Sequence, residues 1–299
     1  MPHRAAERTV LVAGATGRLG SIVELLLTRG QRVRAMTRDP ESPAAKALRA
    51  GGAEPVYGDF DEPNGIEAAA RGAEAVFATG TAHRSGADGE LRHGLSLVSA
   101  VEAARVSHLV YVSGDGAAPD SPLPLFRAKF QVEERIRAAS VPHTILAPVY
   151  FMENLFNPWN LRALRSGSFP SPIPVDLALQ QVAVADLVEL AATVIASPGQ
   201  YLGQRVPVAS DELSAEDAAA AVRRVTGRFL SAEQLDVDEL PPGLRALFDW
   251  LEHVGHGVDI AALRRAHPEV GWRSYEVWAT SQQARFKELC QHPVGLVGR

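Results

Sequence analysis

Thr9-Val10-Leu11-Val12-Ala13-Gly14-Ala15-Thr16-Gly17-Arg18-Leu19-Gly20 is the stretch that decides the fold. Its first five residues, apolar or β-branched, read as a short strand that the glycines stop. From Arg18 to Thr28 (RLGSIVELLLT) apolar residues recur at helical spacing, and Gly30 ends the run. Between strand and helix stands GxxGxxG. Gly14 permits a sharp turn, Gly17 lets backbone approach a pyrophosphate, and Gly20 lets the helix pack close to its strand. The helix N-terminus adds unpaired N–H groups and a partial positive charge. The glycines alone are a weak signal, since an unliganded strand–helix turn carries them too. A strand before and a helix behind are the context of a dinucleotide fingerprint, to which Thr16, Arg18 and Leu19 also belong.

Outward from this turn the pattern repeats. Strand-like runs occur at Gln31–Thr37, Glu54–Tyr57, Ala75–Thr79, His108–Ser113 and His143–Ala147. Helical runs occur at Ile66–Arg71, Leu91–Ala104 and Leu125–Ala139. Nearly all-apolar strands alternating with helices predict an α/β fold, a doubly wound parallel Rossmann sheet covered on both faces. Such sheets bind ligands at the carboxyl ends of their strands. After residue 150 the pattern loosens. Pro158, Pro170, Pro172 and Pro174 mark a loop-rich stretch, followed by a βα pair at Val182–Ile195 and Arg205–Val222. Residues 1–150 are thus expected to form the cofactor-binding Rossmann domain. Residues 151–299 are expected to form a smaller α/β substrate-binding lobe packed on it.

Composition narrows the function. The 299 residues carry a formal charge of -5, which argues against a nucleic-acid partner. No apolar run approaches the roughly 18 residues of a membrane span. MPHRAAER at the start has no apolar core of a secretory leader. One cysteine, Cys290, leaves no internal disulfide and no CxxC metal site. His253 and His256 lack the carboxylate or HExxH setting of a metal site. No GxSxG elbow supports hydrolase chemistry. A cytoplasmic protein with a small-molecule substrate is expected, its oligomeric state open.

The strand tips carry the cofactor candidates. The second strand ends Met36-Thr37-Arg38, without the acid that binds the ribose hydroxyls of NAD. Arg38 can instead pair with a 2′-phosphate through two parallel hydrogen bonds, which favours NADP(H) over NAD(H). The alternative is a solvated surface charge. Asp39 comes late, before Pro40, and reads as a cap of the next helix. Asp59 can accept from an adenine amino group with Phe60 beside the ring, or it can make an Asx turn. Thr79 and Gly80 end the fourth strand, where backbone would pass the central ribose.

Together these residues resemble the NmrA-like group of atypical short-chain dehydrogenase/reductases. Phe126-Arg127-Ala128-Lys129 with Glu133 is similar to the group's FxxKxxxE helix, and Thr144–Asn154 (TILAPVYFMEN) to its TILRPxxFMEN segment. Val182–Leu187 (VAVADL), Gly203-Gln204-Arg205 and Trp250–Pro268 fit as well, so the likeness spans roughly residues 8 to 280. The resemblance implies NADP(H) binding, with Pro148 in the cofactor site. It also implies one of several activities: quinone reductases, dye and natural-product reductases, and regulators that bind the cofactor without turnover. Typical short-chain dehydrogenases use Tyr-x-x-x-Lys. Here Leu125 stands four residues before Lys129, and the resemblance implies as much, since this group commonly lacks the Tyr.

The remaining candidates follow from that gap. The chain has three lysines, and Lys129 could bind the nicotinamide ribose and stabilise an oxyanion. Ser113, at the end of the fifth strand, could donate to a substrate oxygen or satisfy backbone. Tyr150 could replace the missing phenol, with Phe151 as a pocket wall and Asn154 holding the second lobe. The alternative for both is ordinary core packing, for Phe151 more than for Tyr150. His83 could act as an acid or base near the nicotinamide, or be an ordinary loop residue. The expected function is NADPH-dependent reduction of a quinone-like or conjugated aromatic molecule. The Ala- and Arg-rich composition fits natural-product tailoring in a high-GC bacterium. A non-catalytic NADP(H)-binding regulator with a protein partner is the alternative, as is a non-redox enzyme on the same scaffold.

Overall fold

The computed structural model describes residues 7–236, 238 and 240–291, the side chains at 82–84, 290 and 291 excepted. The chain forms two compact units, divided at Pro148/Val149, Asp186/Leu187 and Pro207/Val208.

The first unit is built on seven strands: β1 Thr9–Ala13, β2 Arg32–Thr37, β3 Glu54–Tyr57, β4 Ala75–Thr79, β5 His108–Val112, β6 His143–Pro148 and, later in the chain, β10 Arg205–Val208. Their order is β10-β6-β5-β4-β1-β2-β3, and the sheet is parallel. Val10 lies opposite Val33 of β2 on one side and Ala75 of β4 on the other. The chain therefore winds outward from β1 through β3, returns to β4, and winds the other way. The switch point lies between β1 and β4, and their carboxyl ends point at it through Gly14 and Gly80. The helices are α1 Ile22–Thr28, α2 Pro43–Ala50, α3 Pro63–Ala70, α4 Ala82–Ala103, α5 Pro124–Ala138 and α7 Val184–Ala196, which crosses the second boundary. Strand residues Leu11, Val76, Leu109 and Tyr111 bury against Ile66, Leu97, Val132 and Ile136 of α3, α4 and α5.

Three details differ from the sequence reading. The first helix starts at Ile22, not Arg18, because Gly14 to Ser21 is a run of tight turns. The fourth helix starts at Ala82 and is broken at Gly86, whose φ of 66° and ψ of -166° only glycine adopts readily. The sequence reading placed one cut after residue 150. Leu187–Pro207 nonetheless belongs to the first unit. Arg29 of that unit pairs with Glu189 on α7, Arg8 donates to the Ile195 carbonyl, and β10 extends the sheet.

In the second unit, β7 Tyr150–Phe151, β9 Leu179–Val182 and β11 Asp211–Leu213 form a three-stranded sheet. β8 Ser168–Ser171 pairs in parallel with β12 Ser231–Gln234. The helices are α6 Pro158–Ser166, α8 Ala215–Thr226, α9 Pro242–His253, α10 Ile260–Ala266, α11 Tyr275–Ser281 and α12 Gln283–Gln291. The core is aromatic: Phe156, Phe169, Tyr275, Trp278 and Phe286. The stretch expected to be loop-rich holds a helix and a strand. Pro158 sits in the first turn of α6, where its missing N–H costs nothing. Pro170 lies in β8, whose two-stranded sheet has only edge strands.

Candidate functional site

The first turn has the shape its glycines allow. Gly17 N–H donates to the Gly14 carbonyl at 2.9 Å, and Gly20 N–H to the Gly17 carbonyl at 3.0 Å. Gly14 has φ +101°, and a Cβ there would lie 3.0 Å from Thr79 Cγ2. A Cβ on Gly20 would lie 2.3 Å from the Ala15 carbonyl oxygen. The turn thus needs glycine on both sides, and it brings the tips of β1 and β4 together. Ala15 and Leu19 are buried beneath it, while Thr16, Gly17 and Arg18 are exposed on top. Exposed backbone at a switch point, ahead of a helix, fits a dinucleotide pyrophosphate.

At the tip of β2, Arg38 is exposed, and among the described residues no hydrogen bond or ion pair engages it. Asp39 is not the cap of α2. Its carboxylate accepts from Glu41 N–H at 2.9 Å, and Ser42 caps the helix instead, accepting from Ala45 N–H at 3.3 Å. Asp59 accepts from Asp61 N–H at 3.1 Å in an Asx turn, and Phe60 packs against the core and stacks on His93 at 5.8 Å.

The tips of β4 and β5 hold a buried ion pair. Lys129 Nζ, from α5, lies 2.6 Å from Glu90 Oε1, from α4. The Glu90 side chain is fully buried and that of Lys129 is 12% exposed. Glu90 Oε2 also accepts from Thr81 N–H at 2.6 Å, just beyond Gly80. A Cβ on Gly80 would fall 1.9 Å from Glu90 Oε1, and a Cβ on Gly114 would fall 3.4 Å from Lys129 Cδ. Gly80 thus makes room for the pair, while a Cβ at Gly114 would make only ordinary contact with Lys129. Tyr111 reaches Glu90 at 3.5 Å, and burial, then Glu90, push its phenol well above its ordinary pKa. It stays protonated and is no base.

Ser113 is placed otherwise. Its hydroxyl donates to Glu133 Oε1 at 2.5 Å. Glu133, also buried, is held by Arg205 at 3.0 Å and by Arg137 at 2.7 Å. Arg205 donates further to the carbonyls of Gly114 and Asp115 at 2.9 and 3.2 Å. The acid of the FxxKxxxE segment is therefore a clamp that binds Gly203-Gln204-Arg205 to the β5 tip. The Pro148 carbonyl accepts from Asp115 N–H at 3.0 Å.

In the second unit, Tyr150 lines a cavity of about 30 Å³ with Asn160, Phe169, Tyr275 and neighbouring aliphatic side chains. That is room for a water molecule. Phe151 and Asn154 do not line it. Phe151 pairs with Val182, and the Asn154 carbonyl accepts from Asn157 N–H and Asn160 Nδ2. Glu153 accepts from Val184 N–H and Trp278 Nε1, and Asp186 holds Ser210 and Arg273. The His83 side chain lies outside the described residues. Among the described residues, no three His, Cys, Asp or Glu side chains group to hold a metal ion, and no helix is long and apolar enough to cross a membrane.

Sequence reasoning missed Glu90, His93 and Asp61. The available signal was periodic. Glu90 and His93 sit on the buried face of α4 with Leu97 and Val101, two titratable residues on an apolar stripe. Thr81 Oγ1 lies 2.7 Å from His93 Nδ1, and His93 Nε2 lies 2.9 Å from Asp61 Oδ1.

An open α/β sheet with a glycine turn at its switch point defines a dinucleotide-binding scaffold. The pattern of the NmrA-like family matches residues 6–249, and the chain belongs to that family. It is 30% identical over 222 residues to an NAD(P)H azoreductase of Xenophilus azovorans, covering 73% of this chain and 74% of that one. An NADPH-dependent quinone oxidoreductase of Escherichia coli, solved with NADPH, superposes with a TM-score of 0.75 at 21% identity, over 91% of this chain and 99% of that one. NmrA, a negative transcriptional regulator solved with NADP, superposes with a TM-score of 0.76 at 21% identity, over 94% and 97%.

Proposed function

We propose that the protein is a cytoplasmic, NADPH-dependent reductase of a quinone-like or otherwise conjugated aromatic small molecule. The observation that carries this reading is Lys129. Its ammonium is held by buried Glu90 between the tips of β4 and β5, where we place the nicotinamide ribose. The azoreductase relative and the quinone reductase neighbour support a conjugated acceptor. When bound, the reduced nicotinamide supplies a hydride. The Gly14–Gly20 turn would hold the pyrophosphate, Arg38 the 2′-phosphate, and Asp59 and Phe60 the adenine. Lys129 stabilises negative charge on the acceptor oxygen. A conjugated acceptor delocalises that charge and asks little of a protein acid, which suits Leu125 in place of tyrosine.

The regulator reading is supported by the likeness to NmrA, a negative transcriptional regulator solved with NADP. Absorbance at about 340 nm, the reduced-nicotinamide band, separates the two. The protein is mixed with NADPH and a panel of quinones and polycyclic aromatic ketones, with NADH alongside. Acceptor-dependent oxidation above the protein-free rate, faster with NADPH, is expected. NADPH binding without oxidation would replace the reductase by the regulator.

A further inference from the structure

We propose that Thr81, His93 and Asp61 form a proton relay at the carboxyl end of β4, supplying the proton that the reduction needs. The inference rests on the reductase reading and names the residues that do the work of the phenol for which Leu125 stands.

Geometry comes first. Thr81 Oγ1 sits 2.7 Å from His93 Nδ1, and His93 Nε2 sits 2.9 Å from Asp61 Oδ1. A hydroxyl, an imidazole and a carboxylate in series are the arrangement that lets a weak hydroxyl pass a proton. Thr81 is the N-cap of α4, where a threonine ordinarily accepts from an N–H of the first turn. It makes no such bond. Its hydroxyl meets the imidazole and Ser85 Oγ, the latter at 3.0 Å. Its backbone N–H is pinned by Glu90 at 2.6 Å, so the hydroxyl stands next to the Lys129 pair. Phe60 stacks on the imidazole at 27° and fixes the ring plane.

The charges around the ring oppose one another: the Asp61 carboxylate favours a proton on Nε2, and the Arg92 guanidinium works against it. Asp61 faces it from the β3–α3 link, and Arg92 lies beside it on α4, 3.1 Å from Nε2 and 2.9 Å from Asp61 Oδ1. From the start of α4 the Thr81 hydroxyl meets the ring, with Ser85 Oγ behind that hydroxyl, and Phe60 covers the ring's face. The bond from His93, then that from Arg92, hold the Asp61 carboxyl below its usual range, so it stays charged. The His93 side chain is 11% exposed and that of Asp61 is 59% exposed. The half-buried Thr81 hydroxyl is thus the proton's way in and out of the ring, and Asp61 holds the Nε2 side.

The step balances. A quinone takes a hydride from NADPH, and its oxygen becomes an oxyanion while the cofactor is oxidised to NADP⁺. The Thr81 O–H bond breaks as its proton passes to that oxygen. The Nδ1–H of the His93 imidazolium remakes the hydroxyl, and the neutral ring keeps its Nε2–H on Asp61. After the product leaves, water in the emptied site returns a proton to Nδ1 through the Thr81 hydroxyl. The sum is quinone, NADPH and one proton giving hydroquinone and NADP⁺.

The test uses the full chain with Thr81→Val and His93→Gln against wild type, on two acceptors. One is a quinone, which needs the proton. The other is a cationic triphenylmethane dye, whose carbocation takes a hydride and needs none. Both variants should lose about 10²-fold in kcat on the quinone, the lower end of general acid catalysis, and little on the dye. A readout without cofactor is the ring itself: ¹H–¹⁵N spectra of the free protein should show neutral His93 protonated at Nε2. Unchanged quinone turnover in the variants, equal losses on both acceptors, or a ring protonated at Nδ1 alone would overturn the relay and leave the reductase reading standing. No NADPH oxidation by wild type with any acceptor would end both.

Discussion

The two ends of the first unit's sheet each set an imidazole against a threonine hydroxyl, and they differ in the third partner. At the amino end, His108 Nε2 lies 2.9 Å from Thr144 Oγ1, and the Thr144 hydroxyl donates to the Tyr201 carbonyl at 2.9 Å. The ring must therefore donate from Nε2, and its buried Nδ1 meets no partner. At the carboxyl end, His93 has a carboxylate on its far nitrogen. One ring is filler held neutral by burial. The other has its far nitrogen set against the exposed carboxylate of Asp61. Burial alone does not make a histidine functional, since both residues are buried. What separates them is a charged, half-open neighbour.

The largest break in this contrast comes from the ion pair that marks the carboxyl end. Lys129→Met leaves Glu90 fully buried without its cation, and an uncompensated buried charge costs about 3–5 kcal/mol. Urea unfolding should register that loss. The double variant Glu90→Gln/Lys129→Met should regain most of it. A Lys129→Met protein as stable as wild type would show that this end tolerates a lone carboxylate, and Lys129 would lose its structural role. The result also governs how activity losses in Lys129 variants are read, because destabilisation and lost oxyanion stabilisation both lower turnover.

The amino end answers to pH. Burial, then Arg8 and His143, hold the His108 imidazole down to about 4 from its ordinary 6.5. The unfolded chain therefore takes up a proton that the folded chain refuses between those values, so stability falls as pH falls through that window. The shift amounts to about 3 kcal/mol, fully present above pH 6.5 and lost near pH 4. Unfolding midpoints across this range should slope for wild type, and His108→Gln should flatten the slope. An unaltered slope would assign the acid sensitivity elsewhere and remove the contrast between the two rings.

The parts of the molecule legible in the sequence are those set by local chemistry. β3 and β4 fall where the apolar runs place them, and the Gly14–Gly20 turn needs the glycines it has. Arg38 at a strand tip without an acid was also readable, since adjacency in sequence put it there. What escaped depends on contacts across the fold. Glu90 meets Lys129 from 39 residues away and Asp61 meets His93 from 32, and no spacing rule announces either. Glu133 was read as part of a motif, but its partner Arg205 lies 72 residues on. The motif acids Glu133, Glu153 and Asp186 each clamp backbone or a distant cation within their own units, so these acids mark architecture. In the loop after residue 157, prolines were counted as breakers where their position makes one of them a helix starter.

Arg38→Ala sharpens the description of the carboxyl end. With no protein partner among the described residues, Arg38 costs the fold little when removed. A charge-assisted hydrogen bond to a 2′-phosphate is worth ~2 kcal/mol, or about 30-fold in affinity. Fluorescence titration should show NADPH binding weakened by that factor and NADH binding scarcely changed. Equal losses would remove Arg38 from the phosphate site and with it the proposed preference for NADP(H).

The smallest effect separates two hydroxyls that both stand at helix starts. Ser42 does what its position predicts, accepting from Ala45 N–H at 3.3 Å, and Ser42→Ala should cost about 1 kcal/mol of stability. Thr81 stands at the start of α4 and makes no capping bond, so Thr81→Val has no cap to lose. Its removal should change unfolding less than Ser42→Ala and quinone turnover far more. Chemical denaturation and steady-state turnover on the same two variants give four numbers, and the proposal needs them crossed. If Thr81→Val proved the more destabilising and left turnover intact, its hydroxyl would be a structural tether, and His93 would join His108 as filler.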